Sequence, residues 1–268
     1  MKNILLAWLV MLGFCIQLQA ENGPKVIAHR GYWNKENSAQ NSIVALQEAG
    51  GIKCYGSEFD VQLTSDGVPV VVHDAVVEGI VIEKSTYEDV KNIRLANGEG
   101  IPTLEEYLKA GKKIGKTRLI LEIKPHSTPE KETRVVELVL QMVKKAGLEK
   151  KTEYISFSKH VLKEIVRCSP RVRSAYLSSD LTPAQIKELG CTGVDYNYAV
   201  IQQHPSWVEE CHRLGMTVNV WTVDRPEVMK EMMEKGVDYI TTNEPVLLQT
   251  LITVSYTHLR AHETDSYL

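Results

Sequence analysis

The chain has 268 residues, 43% hydrophobic and 24% charged, with 31 Lys and Arg against 34 Asp and Glu and a formal net charge of −3. No basic excess exists to neutralise a phosphate backbone, which excludes an electrostatic nucleic-acid binder, and the apolar fraction excludes general disorder. The length suits either one α/β barrel, which commonly needs about 250 residues, or two smaller domains.

Lys2 gives a positive start, Ile4 to Ile16 is an unbroken apolar run, and Gln17-Leu18-Gln19-Ala20 ends in a small residue. Residues 1–20 therefore read as a secretory signal peptide cleaved after Ala20, because the run is shorter than the roughly 20 residues of a membrane span. Cys15 invites a lipoprotein reading, but Phe14 before it fits poorly with the small residue expected there. No later stretch of the sequence is long and apolar enough to span a bilayer, so the mature chain is expected to be exported, periplasmic or secreted, without stable membrane insertion. Cys54, Cys168, Cys191 and Cys211 match no zinc spacing and read as free thiols.

From Lys25 onward, β-rich runs alternate with helical patterns. The predicted strands are Lys25–His29, Cys54–Leu63, Val68–His73, Arg118–Lys124, Glu153–Phe157, Arg173–Leu177, Gly193–Tyr198, Thr217–Val223 and Asp238–Thr242. Predicted helices include Thr133–Ala146, Lys159–Cys168, Pro183–Leu189, Pro205–Leu214 and Pro226–Lys235. Alternation of this kind builds a parallel sheet with helices outside it. No linker interrupts the series, so residues 21–252 are expected to form one TIM-type (β/α)8 barrel. The tail 253–268 lacks a periodic apolar face and is expected to lie outside the domain, resembling translated adapter sequence more than a protein segment.

Nine runs are one too many for an eightfold barrel. Thr64-Ser65-Asp66-Gly67 is far too short for a parallel crossover, so 54–63 and 68–73 are predicted to form an antiparallel β-hairpin at the barrel mouth. Counting outward from that turn sets Asp60 against Val71 and Glu58 against His73.

Barrel enzymes keep their chemistry at the C-terminal strand ends. Here those ends read His29-Arg30, Glu58-Phe59-Asp60, Glu122-Ile123-Lys124, Asn197 and Trp221. Glu58 and Asp60 are two apart on one strand and share a face, and Glu122 ends another strand. Three converging carboxylates repel unless a cation lies between them, and an all-oxygen set suits Mg²⁺ or Ca²⁺ rather than zinc. His29 and His73 each follow an apolar run. Imidazole titrates near neutrality, which suits one to take a proton and the other to give it. Arg30 and Lys124 add fixed positive charge for a phosphoryl group, while Trp221 and Asn197 are candidates for a substrate pocket.

His29-Arg30-Gly31, Glu58-x-Asp60, Val72-His73-Asp74, Glu122-Ile123-Lys124 and Trp221-Thr222 together resemble the glycerophosphodiester phosphodiesterase family in order and spacing, over about Lys25 to Leu251. The resemblance implies a TIM barrel holding one divalent cation on Glu58, Asp60 and Glu122. It also implies His29 and His73 as the acid–base pair and Arg30 and Lys124 as phosphate contacts. The implied reaction is hydrolysis of a small-molecule glycerophosphodiester to sn-glycerol 3-phosphate and an alcohol. One position departs: where the family usually carries Pro-Glu-Asn-Thr, this chain reads Ala39-Gln40-Asn41-Ser42, so an uncharged Gln40 replaces the usual acid. Val76–Lys84 is short, which predicts little cover over the mouth and broad substrate choice. The alternatives are a related barrel phosphodiesterase acting on another headgroup and a non-catalytic phosphodiester-binding barrel; a binder has no need of an acid and a base.

Overall fold

The computed structural model describes residues 23–265, with side chains described as far as Ser255. The proposed signal peptide, residues 1–20, lies outside the described residues. Eleven strands occur among them: β1 Lys25–Ala28, β2 Gly56–Leu63, β3 Pro69–Val71, β4 Val76–Val77, β5 Ile80–Val81, β6 Arg118–Ile123, β7 Thr152–Ser156, β8 Ser174–Tyr176, β9 Gly193–Asn197, β10 Thr217–Trp221 and β11 Tyr239–Thr242. Nine of them make one sheet in the order β1-β11-β10-β9-β8-β7-β6-β2-β3, and β1 also pairs with β2, which closes a barrel. Every pairing in the ring is parallel, and only β3 runs antiparallel, against β2.

Strand alternation sorts the barrel into an outside and an inside. On β6, Leu119, Leu121 and Ile123 join the main core formed with the surrounding helices. Ile120 joins Ile27, Ile155, Leu177 and Tyr239 in a separate apolar cluster. Glu122, two residues beyond Ile120, continues that second face. Register sets Asp60 of β2 beside Glu122 of β6 and Glu58 beside Ile120, so the strand pairing itself brings the carboxylates together.

The helices follow local signals. Pro129–Ala146 starts at Thr128, whose hydroxyl accepts the Lys131 N–H, has Pro129 in its first turn, and ends at Gly147 with φ 68. Val135, Val136, Val139 and Val143 form its buried face. Losing such an N-cap typically costs about 1 kcal/mol. Lys159–Cys168, Pro183–Glu188, Ser206–Arg213 and Pro226–Glu234 lie where the sequence predicts them. Ile43–Gly51, Leu104–Gly111 and Tyr198–Gln203 are additional helices.

The hairpin forms, with two corrections. The register is one residue off: Val61 opposes Val71 and Leu63 opposes Pro69. The reason is the turn, in which Thr64 rather than Gly67 closes the ladder. The Thr64 N–H donates to the Val68 carbonyl, and Gly67 adopts φ 86 as the extra residue of a bulged three-residue loop. The strand ends at Val71 and the last ladder bond runs from the Val72 N–H to the Asp60 carbonyl at 3.0 Å, so His73 lies beyond the strand and not opposite Glu58. Its segment is held instead by Gln62, whose Nε2 donates to the carbonyls of Val72, His73 and Asp74 at 3.1, 3.0 and 2.9 Å.

The expectation of little structure after His73 is also corrected. The β4–β5 pair, a 3₁₀ turn at Ile82–Lys84 and the short helix Tyr87–Val90 follow it. This excursion has its own core of Val70, Val72, Ile82, Val90, Ile93 and Ile101, because Val70 and Val72 present apolar side chains that the barrel helices do not cover. At the other end, the helix Pro245–Asp265 runs past the expected domain boundary as continuous helix, with Leu248, Leu251 and Ile252 against the core. Cys54, Cys168, Cys191 and Cys211 are free.

Candidate active site

One pocket at the strand ends is lined by His29, Arg30, Glu58, His73, Glu122, Ile155, Phe157, Leu177, Asp195, Trp221, Thr222 and Thr241. Its cavity of about 110 Å³ admits a small organic group, since one water needs only about 10–15 Å³.

The first strand delivers His29 and Arg30 through a strained turn. Arg30 takes φ 55 and Gly31 φ 80, and a Cβ on Gly31 would lie 2.7 Å from Ala45 backbone, so glycine is required there. The turn directs the Arg30 N–H to Glu58 Oε2 at 2.7 Å. The Arg30 guanidinium donates to Gln40 Oε1 at 2.6 Å and lies 3.6 Å from Asp60 Oδ2. Gln40 thus serves the guanidinium, which occupies its amide oxygen.

Glu58, Asp60 and Glu122 are all buried, with one carboxylate oxygen of each within 4.8 Å of the others. Asp60 accepts from Asn41 Nδ2 at 2.9 Å, and its own N–H donates back to Asn41 Oδ1 at 3.2 Å. Lys124 Nζ lies 3.3 Å from Asp60 and 2.9 Å from Glu122. Its contact with the buried Glu122 Oε1 is an ion pair.

The electrostatics separate the three acids. Burial, then the charges of Asp60 and Glu122, push the Glu58 carboxyl well above the usual carboxylate range. Burial and Asp60 push Glu122 up to about 8. Burial also works against Asp60, but Lys124, His73 and Asn41 outweigh it and hold that carboxyl below its ordinary value. Burial opposes the charge on Lys124, and Asp60 and Glu122 more than restore it. Two buried acids that are costly to ionise, converging with a third in an all-oxygen donor set, fit a hard divalent cation.

His29 and His73 both line this pocket. Burial and the neighbouring Arg30 charge lower the His29 pKa. His73 Nδ1 lies 2.7 Å from the Asp74 carboxylate. Trp221 lines the pocket, donates through Nε1 to the Asp195 carbonyl at 2.9 Å and meets Phe157 edge-on with centroids 5.6 Å apart. Asn197 is elsewhere: its Oδ1 accepts the Ala199 N–H as cap of the helix Tyr198–Gln203, and Asp195, two residues earlier, lines the pocket. A β9 residue at the strand's end is used to start the next helix, which takes it out of the reading as a pocket group.

Several contributors were missed in the sequence. Asn41 adjoins Gln40 in a loop, where a lone amide carries no spacing signal, yet it pairs with Asp60. Asn243 directly follows β11, where the rule of polar strand ends points to it. Asp195 and His126 carry little local signal; His126 Nε2 accepts the Leu63 N–H at 3.1 Å and its Nδ1 lies 2.8 Å from the Lys124 carbonyl, tying together the ends of β2 and β6.

A closed parallel barrel with clustered carboxylates, paired histidines and flanking cations at its C-terminal mouth defines a class of phosphoric diester hydrolases. The sequence pattern of the glycerophosphoryl diester phosphodiesterase family matches residues 29–247. A glycerophosphodiester phosphodiesterase of Caldanaerobacter subterraneus subsp. tengcongensis is 30% identical over 241 residues, covering 85% of this chain and 97% of that protein. A glycerophosphodiester phosphodiesterase crystal structure from Parabacteroides distasonis superposes with a TM-score of 0.86 at 51% identity, covering 90% of this chain and 99% of that one. An Oleispira antarctica phosphodiesterase, solved with the product sn-glycerol-3-phosphate, shares the fold with a TM-score of 0.75 at 24% identity, covering 86% of this chain and 97% of that one. The chain belongs to the glycerophosphoryl diester phosphodiesterase family, and glycerophosphodiester hydrolysis is its activity.

Proposed function

We propose that Glu58, Asp60 and Glu122 hold one divalent cation, Mg²⁺ or Ca²⁺, and that His29 and His73 are the base and acid of glycerophosphodiester hydrolysis. The observation that carries this reading is the buried carboxylate cluster opening into the same pocket as both histidines. The cation, when bound, would supply positive charge to the phosphoryl oxygens.

The chain's own groups divide the remaining work. Arg30 and Lys124 offset negative charge at the phosphoryl group. His29, kept neutral by burial and by Arg30, takes the proton of the attacking water. The water oxygen bonds to phosphorus as the bond to the leaving oxygen breaks. His73 gives its proton to that oxygen, releasing the alcohol and leaving sn-glycerol 3-phosphate. The decisive assay is turnover of glycerophosphocholine before and after EDTA, with Mg²⁺ and Ca²⁺ restored separately. Full activity in the stripped enzyme would refute the metal assignment.

We also propose export through residues 1–20, on the positive start and the apolar run. N-terminal sequencing of the expressed protein should begin at Glu21 in the extracytoplasmic fraction; a product retaining Met1 or Lys2 there would refute cleavage.

A further inference from the structure

The inner half of the pocket contains polar groups that the reaction chemistry leaves unused. Asp195 on β9, Asn219 on β10 and Thr241 on β11 lie side by side on three adjacent strands and are all buried. Asn219 Nδ2 donates to Asp195 Oδ1 at 2.8 Å and to Thr241 Oγ1 at 2.8 Å. Those two bonds spend both amide hydrogens. They also bring the carboxyl and the hydroxyl close enough for one small polyol to span them.

Each bridged group keeps one capacity in hand. Among the described residues, Asp195 Oδ2 has no side-chain or backbone donor, and the Thr241 hydroxyl, which accepts from Asn219, has no acceptor for its own hydrogen. Of the three residues, Asn219 has an atom, Oδ1, that is fully buried without a hydrogen-bond partner. Buried polar atoms are normally paired, and leaving one unpaired costs about 1–3 kcal/mol. Asp195 and Thr241 both line the pocket that His29, Glu58, His73 and Glu122 share. Around them, Ile155, Phe157, Leu177 and Trp221 supply apolar wall. Asp195 thus offers an acceptor and Thr241 a donor beside an apolar wall.

We infer that Asp195 and Thr241, held in place by Asn219, recognise the glycerol hydroxyls of the substrate and determine which alcohol of the diester enters the pocket. This rests on the glycerophosphodiester reading above and deepens it. One glycerol hydroxyl donates to Asp195 Oδ2, and its neighbour accepts from the Thr241 hydroxyl. The carbon backbone lies against Trp221 and Phe157. The other alcohol of the diester then faces the open side as the leaving group. Burial, only partly offset by Asn219, pushes the Asp195 carboxyl up to about 7, in keeping with a group that lacks its full set of partners.

The experiment compares kcat/KM for sn-glycero-3-phosphocholine and for propylphosphocholine, which lacks both hydroxyls. The wild-type protein should prefer the glycerol substrate by about 10²-fold or more, because a site built around hydroxyls rejects the analogue that lacks them. Thr241→Val and Asp195→Ala should each cut that preference at least about tenfold, chiefly through KM for the glycerol substrate, with propylphosphocholine turnover changed only a few-fold. Asp195→Asn keeps the shape and the Asn219 bond, so it decides the matter if Asp195→Ala fails to fold by circular dichroism. An unchanged preference in the folded variants, an equal loss on both substrates, or no preference in the wild type overturns the inference while leaving hydrolysis intact. A wild-type protein that hydrolyses neither substrate overturns the functional reading and this inference with it.

Discussion

The Asn243 side chain fixes the proton on His29. Its Oδ1 lies 3.0 Å from Trp33 Nε1 and 2.9 Å from His29 Nδ1, while its Nδ2 donates to Asp224 Oδ2 at 2.7 Å. An indole N–H can only donate, so the atom facing both rings is the amide oxygen, and His29 must carry its hydrogen on Nδ1. Nε2 of the neutral ring is thereby left as the proton acceptor.

His29→Ala and His73→Ala should each lower kcat by about 10²–10⁴-fold while keeping the circular dichroism spectrum. A base works only when neutral, and the lowered His29 pKa places the loss of activity on acidification below the ordinary histidine range of about 6.5. That acidic limb should vanish from the residual rate profile of His29→Ala. An unchanged kcat in either variant would reduce that histidine to a structural role.

Glu122→Gln should abolish both turnover and stoichiometric binding of Mg²⁺ or Ca²⁺ in a calorimetric titration. The substitution removes one of three anionic ligands yet preserves volume. Retention of activity with one bound ion would show that Glu122 is no ligand.

Asp195→Asn should change the pH dependence of stability. Burial pushes the folded carboxyl up to about 7, above its ordinary value, so the folded state binds more protons than the unfolded state between the two. Stability from this group is complete at low pH and is lost as pH rises through about 7. The variant has nothing to lose, so its melting temperature should gain on wild type between about pH 5 and 8. Parallel melting curves at both pH values would contradict the raised carboxyl.

Deleting residues 254–268 should leave melting temperature and turnover unaltered. Leu248, Leu251 and Ile252 already dock the last helix on the barrel, and Val254 is 48% exposed. A large drop in melting temperature would mean that the rest of this helix closes the fold.

The barrel was legible because its signals are local: apolar runs of strand length, helix caps, and a turn too short for a crossover. His29, Glu58, Asp60, His73, Glu122, Lys124 and Trp221 stand out for the same reason, as polar groups ending apolar runs. The one-residue slip in the hairpin came from counting a tight turn where Gly67 makes a bulge, a difference of backbone conformation that composition does not display. Asn197 failed as a pocket residue because a strand end and a helix cap are the same place in the chain, and capping took the side chain. Asp195, Asn219 and Thr241 were invisible since each lies singly on its strand, and only the sheet order brings them together.

Closure of the ring by β1 against β11 has a consequence for synthesis of the protein. The first strand to leave the ribosome pairs with the last, and the His29–Asn243 contact spans 214 positions of sequence. Contacts so distant form late, after the intervening chain has paid its loop-closure entropy. A nascent chain that has not reached Thr242 and Asn243 has an open β1 edge and a His29 ring without its tautomer lock. Sealing of the barrel and arming of the base are one event, so chains that end before Asn243 are inactive by construction.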